Sequence, residues 1–264
     1  MSRPTCEETF VLSNRRLANN YYSLTVGPYR HVKSCRPGNF IHLQLPHSEV
    51  FFRRAMSVAA VDVNTRTLEI IYKVYGRGTS LLKDYRKQAP INLLGPLGKP
   101  FALPKKNEHI LLVGGGVGFP PLLFLATHLV RRGFPAKQIE FFYGGRTAEE
   151  IVDRSRIRKL GVNFHPVTDD GSFGEKGLVT QAVEGFITQH QGASLRLYGC
   201  GPEGMLKATD ELGRKYHVPG QLSLEAPMPC GIGICLGCVV PLRQGGYARV
   251  CADGPVFDIG EVIL

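Results

Sequence analysis

The chain of 264 residues is long enough for two domains of ordinary size, and 43% of its residues are hydrophobic, as in globular proteins with buried cores. It has no run of 18 apolar residues and its N-terminus lacks the apolar core of a signal peptide, so we expect no membrane contact and a cytoplasmic location. The net charge of +10 is carried by scattered basic doublets such as Arg15-Arg16, which favours phosphate-bearing cofactors or an acidic partner over nucleic acid.

Residues 1–102 are predicted to form an antiparallel β-barrel domain. Short β-prone runs are separated by Gly, Pro, Asn or Asp, and they cover residues 10–17, 21–27, 40–46, 55–62 and 67–75. This spacing is typical of a small barrel. A short helix is predicted from Thr79 to about Tyr85, because the two-residue alternation stops there.

Residues 103–222 are predicted to form an α/β domain with a parallel sheet. Apolar strand-like runs at 109–113, 139–143, 162–168 and 195–199 alternate with helical patterns at 120–132, 148–161, 179–189 and 203–216. Strands that alternate with helices of this length indicate crossover connections between parallel strands.

A glycine-rich turn follows the first predicted strand of this α/β segment. It contains G-x-G-x-x-P at Gly116, Gly118 and Pro121, so that proline replaces the third glycine of a Rossmann fingerprint. Glycines let the backbone approach a pyrophosphate, and the start of the next helix favours its negative charge. For such a turn alone, simple packing is the alternative explanation. The candidate nucleotide-binding residues are Gly114, Gly115, Gly116 and Gly118.

A second turn, Cys200-Gly201-Pro202, leads from a predicted strand into a helix at the same carboxyl edge of the sheet. Ligands bind at this edge in open α/β folds, and the turn is therefore a candidate wall of a nicotinamide pocket. No acidic residue follows the strand at 139–143, where Gly-Gly-Arg-Thr stands instead. The sequence chemistry leaves the choice between NAD and NADP open.

Four of the seven cysteines fall within residues 223–264, a segment with little helical periodicity. Cys230, Cys235, Cys238 and Cys251 give C-x4-C-x2-C followed by a distant Cys, the spacing of plant-type 2Fe-2S ligands. So small a segment needs a metal or disulfides to hold it together. The alternative is a four-thiolate zinc site, which the four-residue first gap disfavours.

Further motifs resemble those of the ferredoxin–NADP reductase superfamily. Residues 37–40 resemble its P-G-Q-F turn, Arg54-Ala55-Met56-Ser57 its R-x-Y-S flavin motif, and residues 95–101 its G-P-x-G-x-x-F closure; the turns at 114–121 and 200–202 match its nicotinamide-domain turns. These matches occur in the family's order and span most of the chain.

The resemblance implies a bound FAD. Arg54 would hold the flavin pyrophosphate as a forked donor, and Met56 and Ser57 would lie beside the isoalloxazine ring. The other flavin-binding candidates that it implies are Ala55, Ile71, Tyr72, Lys73, Gly78 and Thr79. The alternatives are a solvent-facing strand residue for Arg54 and a core residue for Tyr72.

The C-terminal pattern SLEAPMPCGIGICLGC…VCADGPVF resembles the electron-transfer subunits of class B dihydroorotate dehydrogenase. This resemblance covers the whole chain. It implies that electrons from an FMN-containing catalytic subunit reach NAD+ by way of the 2Fe-2S cluster and FAD, in UMP biosynthesis, in a heterotetramer of two copies of each subunit. Ala55, Met56, Pro227 and Pro229 depart from the family's usual residues, which puts the tuning of the cofactor potentials in doubt.

Two other functions remain open at the level of sequence. One is an NAD(P)H-linked reductase subunit of a hydrogenase or an electron-bifurcating complex, which would have the same build. The other is a zinc-stabilised binding module with a vestigial nucleotide fold.

Overall fold

The computed structural model describes residues 4–45 and 50–264, and it contains two seven-stranded sheets and a small two-stranded one. Pro46, at the end of the predicted strand 40–46, lies outside the described residues. No helix in the described part of the chain is long and apolar enough to span a membrane.

The first domain is a barrel-like antiparallel sheet with strand order β4-β3-β7-β1-β2-β6-β5. Its elements are β1 (Thr5–Ala18), β2 (Tyr21–Gly27), β3 (Phe40–Gln44), β4 (Arg54–Ser57), β5 (Ala60–Asp62), β6 (Thr67–Lys73), α1 (Arg77–Leu82) and β7 (Pro90–Leu97). Aliphatic residues of several strands fill its interior, among them Leu24, Ile41, Leu43 and Ile70. The expectation of an antiparallel β domain is thereby confirmed.

Two elements of this domain differ from the sequence-based predictions. The run 55–62 is two strands, because the N–H of Val58 bonds back to Asn39 while the N–H of Ala59 bonds to Glu69 on β6. The chain therefore changes partner strands at this corner. Helix α1 begins two residues earlier than predicted and ends at Leu82, where the side-chain amide of Asn14 donates to the carbonyl groups of the last turn. Strand β7, which contains two prolines, was missed.

The second domain confirms the predicted parallel sheet, with order β11-β10-β9-β8-β12-β13-β16. Its elements are β8 (His109–Gly115), α2 (Phe119–Arg131), β9 (Ile139–Gly145), α3 (Arg154–Lys159), β10 (Asn163–Thr168), β11 (Glu175–Lys176), α4 (Val179–Gln189), β12 (Leu195–Cys200), α5 (Glu203–Lys215) and β13 (Gly220–Ser223). Strands β8 to β13 are parallel, and helices α2 and α4 pack against the sheet.

The predicted helix 148–161 was wrong in its extent. A 3-10 turn covers Ala148–Glu150, and α3 starts only at Arg154, because Asp153 adopts a left-handed conformation with φ of 54°. The guanidinium of Arg154 donates to the carbonyl groups of Ala148 and Ile151, at 2.6 and 2.7 Å. These bonds satisfy acceptors that a continuous helix would have paired internally.

The C-terminal segment adds strands β14 (Val239–Pro241), β15 (Tyr247–Arg249) and β16 (Val256–Asp258). Strand β16 joins the edge of the parallel sheet by pairing antiparallel with β13. The segment is apolar where it meets both other domains, since Phe40, Leu222, Cys238, Cys251 and Phe257 belong to one buried cluster. It therefore completes a shared core and does not fold as a separate body.

A buried carboxylate ties this segment to the α/β domain. Asp210 on α5 is 2% exposed and accepts hydrogen bonds from the Arg243 guanidinium at 3.1 Å and from the Gly260 N–H at 2.6 Å. It also accepts one from Arg214, one turn further along the helix, at 3.0 Å. Charge-assisted bonds of this kind are about twice as strong as neutral ones.

We expect Asp210→Ala to lower the free energy of unfolding by about 2 kcal/mol, because it leaves a partly buried N–H and two guanidinium groups without their acceptor. Urea unfolding of the purified protein, followed by circular dichroism, measures this loss. Glu211→Ala, at the next and exposed position of the same helix, should stay within about 0.5 kcal/mol of the parent. Equal losses in both variants would contradict a tie through Asp210.

Candidate cofactor sites at the junction of the three segments

The four clustered cysteines lie on one compact loop and its closing turn, and all are free thiols. The sulfur atoms of Cys238 and Cys251 are 3.3 Å apart. Backbone N–H groups point at the sulfurs: that of Gly233 lies 3.2 Å from the Cys251 sulfur, and that of Gly237 lies 3.5 Å from the Cys235 sulfur. Backbone donors around thiolates are typical of iron–sulfur loops.

Two glycines of the loop adopt conformations that other residues avoid. Gly231 and Gly233 have φ of 71° and 79°. A Cβ on Gly231 would approach the ring of His42 to 2.5 Å, and one on Gly233 would approach the Ala252 side chain to 2.8 Å. The loop can therefore close against its surroundings only with glycine at these positions.

An ion pair that the sequence analysis missed holds the loop from the other side. Arg249 and Asp253, which flank Cys251, form a forked pair with distances of 2.8 and 2.9 Å. The same guanidinium donates to the carbonyl of Gly233 at 3.1 Å. The pair lowers the pKa of Asp253 to about 2, so the carboxylate is charged at neutral pH. The sequence signal for this ion pair is an arginine and an aspartate four residues apart, on either side of the proposed ligand Cys251.

The thiols differ in how readily they ionise. Burial raises the pKa of Cys230, but hydrogen bonds from the backbone of Cys235, Ile232 and Ile234 outweigh this and bring it to about 6. Burial and the adjacent Cys238 sulfur raise the pKa of Cys251. Iron bound by these cysteines would hold them as thiolates, because a coordinated thiol loses its proton.

The donor set fits a 2Fe-2S cluster in its spacing, its backbone amides and its glycine conformations. Within residues 4–45 and 50–264, no three His, Cys, Asp or Glu side chains converge as a group ready to hold a single metal ion. The fit therefore depends on the loop and its thiol pair, and the four ligand assignments stay predictions.

The flavin-motif strand β4 lies directly beside β3, on which the cysteine loop rests. In the β3–β4 register Phe40 is opposite Ser57 and His42 is opposite Ala55, so these four side chains share one face. The C-terminal segment covers Phe40 and His42, whereas Ala55 is exposed and Ser57 half-buried. Ala55 and Ser57 therefore form an open strip of the flavin motif, and this strip borders the cysteine loop.

Arg54 lies on the opposite face of β4 and fits the role of a phosphate ligand. Its Nε is buried and has no hydrogen-bond partner among the described residues, and its only described bond is from Nη2 to the Phe52 carbonyl. Its aliphatic stem passes Gly78, where a Cβ would lie 2.9 Å from Cδ. The neighbouring Arg53, by contrast, donates to Gln44 and Asn92 at 2.8 and 2.7 Å. Of these two arginines, Arg54 is the one whose buried Nε has no partner among the described residues, and this donor is available to a ligand.

The other flavin candidates lie on β4, on β6 and on helix α1. Tyr72 is 2% exposed in the barrel core, stacks on Tyr22 and donates its hydroxyl to Asn14 at 3.1 Å. Ile71 belongs to the core between the barrel and the α/β domain. Thr79 accepts from the backbone N–H groups of Tyr75 and Gly76. Met56 packs against the barrel core. The contacts of these residues with flavin stay predictions.

The two predicted turns of the α/β domain are in direct contact. Gly114 is the register partner of Cys200. A Cβ on Gly118 would collide with the Cys200 carbonyl, and one on Gly115 would lie 2.8 Å from Pro202. Gly201 in turn packs on the Gly115 backbone. Gly115, Gly118 and Gly201 are therefore required by the packing of one turn against the other, whether or not a ligand binds.

Gly116 is the glycine of this turn that packing does not explain. It has φ of 51°, and the nearest atom to a Cβ there is the Tyr21 hydroxyl, 3.8 Å away. That hydroxyl is buried and has no partner in the described part of the chain. A left-handed, open glycine beside an unpaired hydroxyl fits a turn that approaches a nucleotide closely.

Ion pairs join the barrel to the α/β domain beside this turn. Lys73 on β6 is 3.0 Å from Glu150, which also receives the guanidinium of Arg146 at 2.7 Å. Burial raises the pKa of Glu150, but these bonds outweigh it and hold the pKa at about 2. A second pair joins Glu69 to Arg156 at 2.7 Å. The two pairs hold the loop after β9 and helix α3 against strand β6 of the barrel.

Comparisons with known proteins agree with this arrangement. The family model of the "Iron-sulfur cluster binding domain of dihydroorotate dehydrogenase B" matches residues 225–263, and that of the "Oxidoreductase NAD-binding domain" matches residues 112–211. The "Dihydroorotate dehydrogenase B (NAD(+)), electron transfer subunit" of Geobacillus sp. strain WCH70 is 37% identical over 265 residues, and that of Geobacillus thermodenitrificans is 38% identical over 264 residues. Each alignment covers 98% of both chains.

Solved structures share the fold. An NADH-dependent reduced ferredoxin-NADP oxidoreductase, studied for flavin-based electron bifurcation, has a TM-score of 0.85 at 26% identity, with 97% of this chain and 89% of that chain covered. A ferredoxin NADP+ reductase from Neisseria gonorrhoeae with bound FAD and NADP has a TM-score of 0.66 at 19% identity, with 80% and 91% covered.

The resemblance drawn from the sequence motifs is thereby confirmed at the level of the whole chain. The Geobacillus proteins are similar over 98% of the chain, and the iron–sulfur domain model matches the cysteine segment. The chain belongs to the family of the electron transfer subunits of dihydroorotate dehydrogenase B.

Proposed function

We propose that the chain transfers electrons from the oxidation of dihydroorotate to NAD+, in the biosynthesis of pyrimidines (UMP). For this transfer it would bind a 2Fe-2S cluster and FAD. As a member of its family it is an oxidoreductase subunit that binds NAD and works with a catalytic partner subunit. We further propose that the partner carries FMN and that two copies of each subunit form a heterotetramer. The seven free thiols suit the cytoplasm.

One observation carries this proposal. The cysteine loop and the open strip of the flavin motif lie side by side on the outer face of strands β3 and β4. We assign residues 1–102 to FAD, 103–222 to NAD and 223–264 to the cluster. When bound, the cluster exchanges single electrons and the flavin exchanges one or two, which links one-electron transfer to a nicotinamide that accepts only hydride.

The protein's own residues bind and orient these groups. Cys230, Cys235, Cys238 and Cys251 would supply the thiolates, and Arg249 with Asp253 would keep the loop closed around them. Arg54 would neutralise the flavin pyrophosphate with the donors that the protein leaves unused. Gly116 would let the backbone approach the dinucleotide, and Cys200 would line the nicotinamide side of the same edge.

The surface around the cysteine loop fits a docking site for the catalytic subunit. Ile234 and Tyr247 are each 75% exposed, and other exposed apolar residues nearby are Ile232, Leu236 and Val239. Single exposed apolar residues are ordinary, but a group of them around a redox loop is typical of an interface. Electron transfer from a partner requires close approach at this point.

A subunit of an electron-bifurcating complex is the second candidate, because the structure with a TM-score of 0.85 comes from such an enzyme. The identity of 26% to that chain is lower than the 37% to the dihydroorotate dehydrogenase subunits at similar coverage. The dihydroorotate assignment is therefore favoured. NADH formation from dihydroorotate and NAD+ by the chain together with its partner separates the two candidates, since a bifurcating subunit would form none.

We expect Cys235→Ser to abolish NADH formation by the complex while the partner's reduction of an artificial dye stays largely intact, because the exposed thiol is one of four proposed ligands. Iron, acid-labile sulfide and NADH formation are measured together. Cys6→Ser, which changes an exposed cysteine on β1, serves as the control and should retain iron. Full iron content and activity in Cys235→Ser would remove that residue from the ligand set.

Arg54→Met keeps the aliphatic stem beside Gly78 and removes the forked donor. We expect FAD to bind about 10- to 100-fold more weakly, since a charge-assisted hydrogen bond contributes about 1.5–3 kcal/mol. Bound FAD per chain and flavin fluorescence on dilution report the change. The control Arg86→Met alters an exposed arginine of the same domain, and an unchanged FAD affinity in Arg54→Met would refute the assignment.

Ile234→Glu should weaken binding of the catalytic subunit at least tenfold, because it places a charge in the proposed apolar interface. Its visible spectrum and iron content should match those of the parent, since the side chain points to solvent. Val63→Glu is the matched control, because it also replaces an exposed aliphatic side chain by glutamate, at a turn of the barrel. Analytical ultracentrifugation of the mixed subunits decides, and normal assembly of Ile234→Glu would place the interface elsewhere.

A further inference from the structure

His42 stands out as a buried polar side chain that the proposed function does not use. It lies in the middle of β3, is 0% exposed, and neither ring nitrogen has a hydrogen-bond partner among the described residues. Buried polar groups are nearly always paired, so an unpaired imidazole calls for a partner that the protein chain does not supply. Burial, with the positive charges of Arg53 and Arg54, lowers the pKa of His42 to about 4.

The surroundings of the imidazole point toward the cysteine loop. A Cβ on Gly231 would lie 2.5 Å from Cε1, 2.7 Å from Nδ1 and 2.9 Å from Nε2, so Gly231 packs against the flat face of the ring, next to both nitrogens. Gly231 follows Cys230, the first proposed ligand. The ring's other near neighbour is Phe40, at 5.6 Å between centroids, which offers no acceptor. Its register partners on the adjacent strands are Ala55 and Leu94, which offer none either.

We propose that His42 donates a hydrogen bond to a sulfur atom of the bound 2Fe-2S cluster, and thereby raises the reduction potential of the cluster. This inference rests on the proposed function, because it requires the cluster in this loop. The imidazole carries at least one N–H whether neutral or protonated, so a donor is present at any pH. The N–H points outward in the plane of the ring, and a cluster bound in the adjacent loop would supply a sulfide as its acceptor.

The physical effect has a definite sign. Reduction adds a negative charge to the cluster, and a donor aimed at a sulfur stabilises the reduced form more than the oxidised form. His42 is thus a positioning and tuning residue and takes no part in binding substrate. It also explains why position 231 is glycine: any side chain there would push the imidazole away from the loop.

The test compares His42→Phe with His42→Gln in the assembled complex. Phenylalanine keeps a ring against Gly231 but removes the N–H, whereas glutamine keeps an N–H donor. EPR-monitored redox titration should give a lower cluster potential in His42→Phe, recovered in part in His42→Gln, with the FAD potential unchanged. Phe40→Leu alters the packing of the same face without removing a donor, and its cluster potential should equal that of the parent.

Several outcomes would overturn the inference. An unchanged cluster potential in His42→Phe, a shift of equal size in Phe40→Leu, or a shift confined to FAD would each assign the imidazole another role. Should His42→Phe fail to assemble a cluster, the parent protein labelled with ¹⁵N-histidine decides: pulsed EPR should detect an exchangeable proton and a ¹⁵N coupling, and their absence refutes the contact. A parent without any 2Fe-2S EPR signal would instead refute the proposed function itself.

Discussion

The outer face of strand β3 is the surface on which the rest of the molecule depends. Phe40 and His42 on this face receive the C-terminal segment, and the same strand pairs with β4, which carries the flavin motif. A segment of 42 residues is too short to build a sufficient core by itself, and here its neighbours complete that core. The cysteine loop is therefore held at a fixed place beside the flavin motif by packing, before any cofactor bond is considered.

The α/β domain is fixed to the same frame by a different kind of contact. An apolar core containing Ile71 and Phe119 continues from the barrel into the parallel sheet, and the pairs Lys73–Glu150 and Glu69–Arg156 bridge its edge. Partly buried ion pairs contribute less to stability than to geometry, because each loses hydration as it gains its partner. Here they hold helix α3 and the loop after β9 against strand β6 of the barrel.

Much of this architecture could be predicted from the sequence, because it is determined by local sequence patterns. The alternation of strands and helices and the two turns at the carboxyl edge were confirmed. The helix at 148–161 was misjudged because a left-handed Asp153 and the Arg154 side chain, both invisible to periodicity, divide it. Strand β7 was missed since prolines mask its pattern. The role of His42 could not be foreseen, because it arises only where two distant segments meet. The Arg249–Asp253 pair has a local sequence signal, but its contact with the Gly233 carbonyl appears only in the fold.

The glycines show why a motif read from sequence mixes two causes. Gly115 and Gly118 are forced by the contact between the two turns, and Gly231 is forced by the ring of His42. Gly116 has no such contact, yet it is left-handed and open. A turn-on-turn contact makes the first kind necessary even in a protein that binds nothing, and the left-handed φ of Gly116 is by itself a reason for glycine, as it is at the open turns of Gly133 and Gly192. What supports the nucleotide assignment is the place of Gly116 at the carboxyl edge of the sheet, beside a Tyr21 hydroxyl that has no partner among the described residues.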